Sequence, residues 1–153
     1  MQGKLDDNHG VYALILHIAC DRMIRIGKLG DQRFKRGYYV YVGSASAPGG
    51  LAARVGYHVK KADRPHWHID YLKEVAEIRE VWFSRSKPVM EHVWAGAAQR
   101  ISGMHTPVKG FGSSDCRCLS HLAYFSRKPN CRLFETYLKR SGYTQQVKAV
   151  FCF

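Results

Sequence analysis

Residues 37–58, GYYVYVGSASAPGGLAARVGYH, decide how this chain is read. Tyr38 to Val42 are all tyrosine or valine, side chains that pack well on a pleated surface. Gly43 closes that strand. The small residues 44–50, SASAPGG, form a loop, and a helix follows over about residues 51–61 with Leu51, Val55 and Val59 as its apolar stripe. Arg54 and His58 are four apart and therefore share one helical face.

Upstream, residues 11–18 (VYALILHI) are apolar almost without interruption, as in a strand buried on both faces. Gly10-Val11-Tyr12 is the natural sheet neighbour of the tyrosine strand. Residues 23–29 (MIRIGKL) alternate weakly, 30–32 break the run, and 33–43 resume in extended form. Residues 11–43 thus read as a three-stranded antiparallel meander with a basic middle arm. Downstream, Ile69, Leu72 and Val75 or Ala76 predict a helix within 66–78, and 80–83 a short strand. Ser86 as cap with Pro88 in the first turn predicts a helix ending at Gly103. Residues 104–118 read as loop, 119–125 as a strand, 132–140 as a helix and 147–153 as a terminal strand. No repeat or composition shift marks a boundary. The expectation is one α+β domain over 1–153, with a core of about 10–102 and an extension over 103–153. It has a small central antiparallel sheet flanked by helices and an inserted basic β-arm.

The charge is strongly basic: 24 Lys and Arg against 12 Asp and Glu, a formal +12. It is also clustered. Between residues 22 and 64 ten basic residues face only Asp31 and Asp63, while five acids fall within 70–91. A solvated basic surface is the plain alternative, but the clustering favours a polyanion partner, DNA above all. Arg25, Lys28, Arg33, Lys35, Arg36, Lys60 and Lys61 are the candidate nucleic-acid contacts. A hydrophobic content of 46% argues against disorder. The longest apolar run falls far short of the ~20 residues of a membrane helix, and residues 1–10 hold no signal-like apolar region. A soluble, cytoplasmic protein is expected, and five cysteines are then more in keeping with free thiols than with a disulfide framework.

Tyr12 in GVY, Tyr41 in YVG, Arg54 followed by His58, and Glu91 on a later helix stand in an order that resembles the GIY-YIG nuclease superfamily. Three segments, GYYVYVGSA, HWHIDYL and GFGSSDCRCLSHL, are similar to a branch found in archaea and bacteria, sometimes fused to endonuclease III-type repair enzymes. The wider resemblance covers about residues 10–100 and the narrower one extends to about 125. It implies a metal-dependent endonuclease. Glu91 would hold one Mg²⁺ or Mn²⁺, which needs few protein ligands because it keeps several waters. Arg54 would grip the scissile phosphate in the bidentate manner that lysine manages poorly. Tyr12 would serve as general base or its relay, Tyr41 would position a phosphate or water, and His58 would accept or shuttle a proton. A phenol titrating near ~10 needs cations beside it to act at neutrality, and the metal and Arg54 are expected to supply them. One departure is visible: 28 residues, 13–40, separate the two tyrosine motifs where the superfamily has a short hairpin. The basic arm occupies that space.

Other residues offer competing readings. Tyr12 and Tyr41 alone would be a cross-strand packing pair. Glu91 alone would be a first-turn glutamate favoured by the helix dipole, and Glu74 and Asp70 are the alternative carboxylates. His66, His68 and Asp70 suggest a metal cluster only if extended, and are read instead as lining the nucleic-acid side, with Trp67 and Ile69 as anchors. Cys116, Cys118 and His121 form a possible zinc set, although C-x-C is tighter than the usual spacing. GFGSS lacks the lysine of a phosphate loop. Besides the endonuclease, two functions stay open: a nucleic-acid-binding module without chemistry, and a cysteine–metal regulatory protein.

Overall fold

The computed structural model describes residues 4–60, 63–86, 90–113 and 117–151. In chain order the elements are β1 (Gly10–Ile18), β2 (Arg22–Arg25), a 3₁₀ turn (Gly27–Leu29), β3 (Asp31–Phe34), β4 (Gly37–Ala45), α1 (Gly50–Val59), α2 (His68–Lys73), β5 (Glu77–Arg85), α3 (Glu91–Ala98), β6 (Leu122–Phe125), α4 (Cys131–Arg140) and β7 (Lys148–Phe151). The class is α+β. Five antiparallel strands in the order β6-β4-β1-β5-β7 form the sheet, with β2 and β3 as a separate two-stranded ribbon.

The unbroken apolar run of β1 follows from its central place, since both edges are paired and both faces covered. Val11, Ala13 and Ile15 face a core shared with Trp94 of α3 and Phe134 and Leu138 of α4. Tyr12, Leu14 and Leu16 face the opposite core, with Leu51 and Val55 of α1 and Ile69 and Leu72 of α2. This alternation with a period of two decides where the site lies. Tyr12 and Tyr41 must point to the α1–α2 side.

The structure corrects several boundaries. Residues 11–43 are not a three-stranded meander: β1 pairs directly with β4, from Gly10 opposite Ala45 to Ile18 opposite Gly37. The inserted β-arm exists, but β2 and β3 pair only with each other. Both edges of β1 are already taken, and the arm's charged residues suit a ribbon exposed on one side. Ile26 and Phe34, both fully buried, anchor it in the α1–α2 core, each contributing roughly 1.5–3 kcal/mol.

The helix expected within 66–78 is only His68–Lys73. The N–H groups of Val75 and Ala76 both turn back to Leu72 O, and Glu77 and Ile78 then pair with His17 and Leu16. Strand pairing overrides the helical spacing and lengthens the strand expected over 80–83. Ser86 is not a helix cap: its N–H continues the sheet edge to His9 O, and Met90 precedes α3, which ends at Ala98. Lys87 and Pro88 lie outside the described residues. The late strand, last helix and terminal strand are present with shifted ends. Asn130 Oδ1 caps α4 by accepting from Arg132 and Leu133 N–H. Among the described residues no helix is long and apolar enough to cross a membrane.

Candidate active site

Tyr12 stands opposite Gly43 across the β1–β4 pair, and Tyr41 stands opposite Leu14. The two rings are therefore diagonal neighbours on one face. The Tyr12 ring lies across Gly43 so closely that a Cβ there would come within 2.4 Å of Tyr12 Oη. Glycine at this position is a space requirement. At the far end of the loop, Gly49 and Gly50 have φ of 92° and 59°, a region other residues avoid, and α1 starts there.

α1 carries His58 under the sheet, where it is 1% exposed. A hydrogen bond of 2.7 Å joins Tyr12 Oη and His58 Nε2, and His58 Nδ1 has no hydrogen-bond partner among the described residues. Burial, reinforced by the nearby Lys73 and Arg54 cations and opposed by Asp70, lowers the His58 pKa to about 3. Burial raises Tyr12 well above the ordinary phenol range. The neighbouring Tyr41 adds to this, and Arg54 opposes it. Tyr41 is raised as well, again by burial first and with Arg54 opposing. The expectation that Arg54 acidifies Tyr12 is thus outweighed by desolvation, and both tyrosines are protonated at neutrality.

One turn before His58, the Arg54 guanidinium stacks on the Trp67 ring, 4.6 Å from its centroid. Such stacking holds the guanidinium plane while leaving its N–H edges available. No carboxylate pairs with Arg54 among the described residues. Trp67 is positioned by Asp70, whose Oδ2 accepts from the Trp67 and His66 N–H groups at 2.9 Å and from the Tyr57 hydroxyl at 3.1 Å. Its other oxygen is 3.7 Å from Lys73 Nζ. Burial alone would raise the Asp70 pKa; the donors and Lys73 prevail and lower it. Asp70 is taken up by this scaffold, and Glu91 rather than Asp70 is among the residues lining the site's cavity.

The third wall comes from α3 and the loop before β6. Tyr12, Tyr41, Arg54, Trp67, His68 and Glu91 are among the residues around an open cavity of about 450 Å³. Glu91 opens α3, with Oε1 3.8 Å from His121 Nδ1. Burial lowers the His121 pKa, with Glu91 opposing. The loop's Phe111 packs edge-on against Tyr41, and Gly112 N–H donates to His68 Nδ1 at 2.8 Å. His92 Nδ1 lies 3.2 Å from Cys118 Sγ.

The structure thus brings Tyr12, Tyr41, Arg54 and Glu91 to one cavity, with His58 directly behind Tyr12. His121 is in the wall; Cys118 lies near it and Cys116 is outside the described residues. Arg25, Lys28, Arg33, Lys35, Arg36 and Lys60 are all exposed, on the arm and at the end of α1, away from the cavity lining. Lys61 is outside the described residues. Sequence reasoning missed His92, a lone histidine beside Glu91 with no motif around it. It also assigned Trp67 only as an anchor, although Arg-to-Trp stacking across a turn has no spacing signal. Cys20, Cys118 and Cys131 form no disulfide.

No curated protein and no solved structure matches the chain. A family model does, the domain of unknown function DUF123, over residues 11–142. That span runs from β1 through α4 and takes in every cavity residue named above, so the chain belongs to the DUF123 family.

Proposed function

We propose that this protein is a metal-dependent endonuclease of the GIY-YIG type, hydrolysing phosphodiester bonds of DNA. The observation that carries the reading is the convergence of Tyr12, Tyr41, Arg54 and Glu91, from β1, β4, α1 and α3, on one cavity. These are four of the five residues that carry the resemblance; the fifth, His58, lies behind Tyr12 and hydrogen-bonds to it.

The donor set suits a hard divalent cation. Glu91 presents a carboxylate whose side chain is 24% exposed to open space, and magnesium is usually held by one or two carboxylates together with waters and substrate oxygens. When bound, such an ion neutralises the phosphate and acidifies a coordinated water. The rest falls to the chain's own groups. Arg54, fixed on Trp67, offers two parallel N–H groups to the phosphate oxygens. Tyr41 donates its hydroxyl to a phosphate oxygen or water. Tyr12 Oη and His58 Nε2 share a hydrogen bond that can carry one proton between them, so a proton reaching Tyr12 passes to His58 without a phenolate persisting. Burial is what chiefly disfavours imidazolium at His58, and the anionic substrate offsets the smaller contribution of the Lys73 and Arg54 cations. The exposed arm cations bind flanking backbone without reading bases.

The test is a labelled panel of duplex, flap, branched and single-stranded DNA and RNA with Mg²⁺ or Mn²⁺. Cutting that chelator stops is expected, with a loss of about 10²-fold or more in Arg54→Ala and Glu91→Gln. Undiminished cutting by Glu91→Gln refutes the metal assignment. Salt-sensitive binding without cleavage of any substrate would leave a nucleic-acid-binding module.

A further inference from the structure

His92, Cys118 and His121 lie outside the chemistry just described. They come from the first turn of α3 and from the segment leading into β6, and the fold brings one ligand atom of each to within 4.8 Å of the other two. In a tetrahedral zinc site, with bonds of about 2.0–2.1 Å to nitrogen and 2.3 Å to sulfur, ligand atoms stand roughly 3.3–3.6 Å apart. The His92 Nδ1 to Cys118 Sγ separation of 3.2 Å already has that scale, and small side-chain rotations close the remainder.

We infer that His92, Cys118 and His121 form a binding site for a zinc-class transition metal, separate from the hard-cation position at Glu91. The donor chemistry makes the distinction. One thiolate and two imidazoles select zinc or a similar borderline-soft ion, whereas a lone carboxylate in a wet cavity suits magnesium. Among the described residues these three are the protein ligands, which leaves a fourth position. His92 and His121 both line the cavity, so that position opens toward it and takes a water or a substrate oxygen. Glu91 lies beside the site, with Oε1 3.8 Å from His121 Nδ1. Access is not obstructed, because His92 is exposed and Cys118 half-buried. Binding replaces the Cys118 S–H bond with a sulfur–metal bond and releases one proton to solvent.

The full chain, stripped with chelator, is titrated with Co²⁺ and then Zn²⁺. One equivalent of Co²⁺ is expected to produce thiolate charge-transfer absorption and intense tetrahedral visible bands. Zinc should displace it, excess Mg²⁺ should not, and one proton should be released. Cys118→Ser should abolish the charge-transfer band. His92→Ala, at an exposed position with little cost to folding, should weaken binding by about 100-fold or more, while Glu91→Gln keeps one equivalent bound. The inference is overturned by absence of the cobalt spectrum, by an unchanged spectrum in Cys118→Ser, by unweakened binding in His92→Ala, or by loss of the metal in Glu91→Gln. None of these readouts uses cleavage, so the site stands or falls independently of the nuclease reading.

Discussion

Replacing His58 with Gln tests the buried Tyr12–His58 pair through its effect on stability. In the folded chain the groups facing this ring are the Tyr12 hydroxyl, the Lys73 and Arg54 cations, the Asp70 carboxylate and the rings of Tyr41, Tyr57 and Trp67. Folded His58 takes up a proton only near pH 3, against 6.5 for an unperturbed histidine. As pH falls from 7, the unfolded chain protonates first, so acid favours unfolding. The stability that neutral His58 preserves is complete above about pH 6.5 and is lost progressively toward pH 3. Each tenfold step is worth about 1.36 kcal/mol. The linkage relation then gives a loss of about 1.9 kcal/mol between pH 7 and pH 5 from this one ring. His68 and His121 are also lowered, chiefly by burial, and act in the same sense, so the wild type alone cannot isolate His58. The difference between wild type and His58→Gln can, because the other groups cancel while glutamine still offers an atom to Tyr12. Urea unfolding at pH 7, 6 and 5, followed by tryptophan fluorescence, measures it. The wild-type advantage should shrink by about 1.9 kcal/mol over that range. A difference that stays constant would show that His58 titrates alike in the folded and unfolded chain, and so is not a buried ring held neutral.

Asp70→Ala removes the acceptor of three hydrogen bonds and leaves Lys73, among the described residues, with the Tyr57 and Lys60 carbonyls and no carboxylate, so a stability loss of about 3–5 kcal/mol is expected in urea unfolding. A loss below about 1 kcal/mol would mean that Asp70 does not hold the Trp67 segment. Gly43→Ala forces the Tyr12 ring to move and should cost about 1–3 kcal/mol, with a fall in any cleavage activity beyond that of an alanine placed at the uncrowded Gly56. Changing Arg33, Lys35 and Arg36 to Ala together should leave stability within roughly 0.5 kcal/mol. It should also shallow the log–log salt dependence of DNA binding by up to about 2.7. An unchanged slope would place the arm away from the backbone.

The sheet was legible because its signals are periodic and local. β1 shows burial on both faces as an unbroken apolar run, and the run of Tyr and Val in β4 is as plain. The misreadings arose where two local signals compete and only tertiary pairing decides between them. Ile69, Leu72 and Val75 obey helical spacing, yet residues from 77 onward find a better partner in β1. Ser86 and Pro88 make a good helix start on paper, but Ser86 is held as a continuation of β5. The arm was visible as charge, and its detachment from the sheet was not, because no residue in it announces that both edges of β1 are already occupied.

The site was legible residue by residue and illegible as an environment. The resemblance to the GIY-YIG superfamily singled out Tyr12, Tyr41, Arg54 and Glu91, but a sequence does not state burial, and burial reverses the expected acidity of Tyr12. The same effect acts around the cavity: Tyr12 and Tyr41 are raised, and His58, His68 and His121 are lowered, with desolvation the largest cause in each. All five are therefore held uncharged at neutral pH. Among the described residues lining the cavity, Arg54 is the Lys or Arg and Glu91 the Asp or Glu, one of each sign. A wall holding one fixed cation and one fixed anion suits an anion bound together with a metal cation better than either alone. It also explains why histidines so near Arg54 are tolerated: kept neutral, His58 and His68 repel neither the arginine nor an incoming cation.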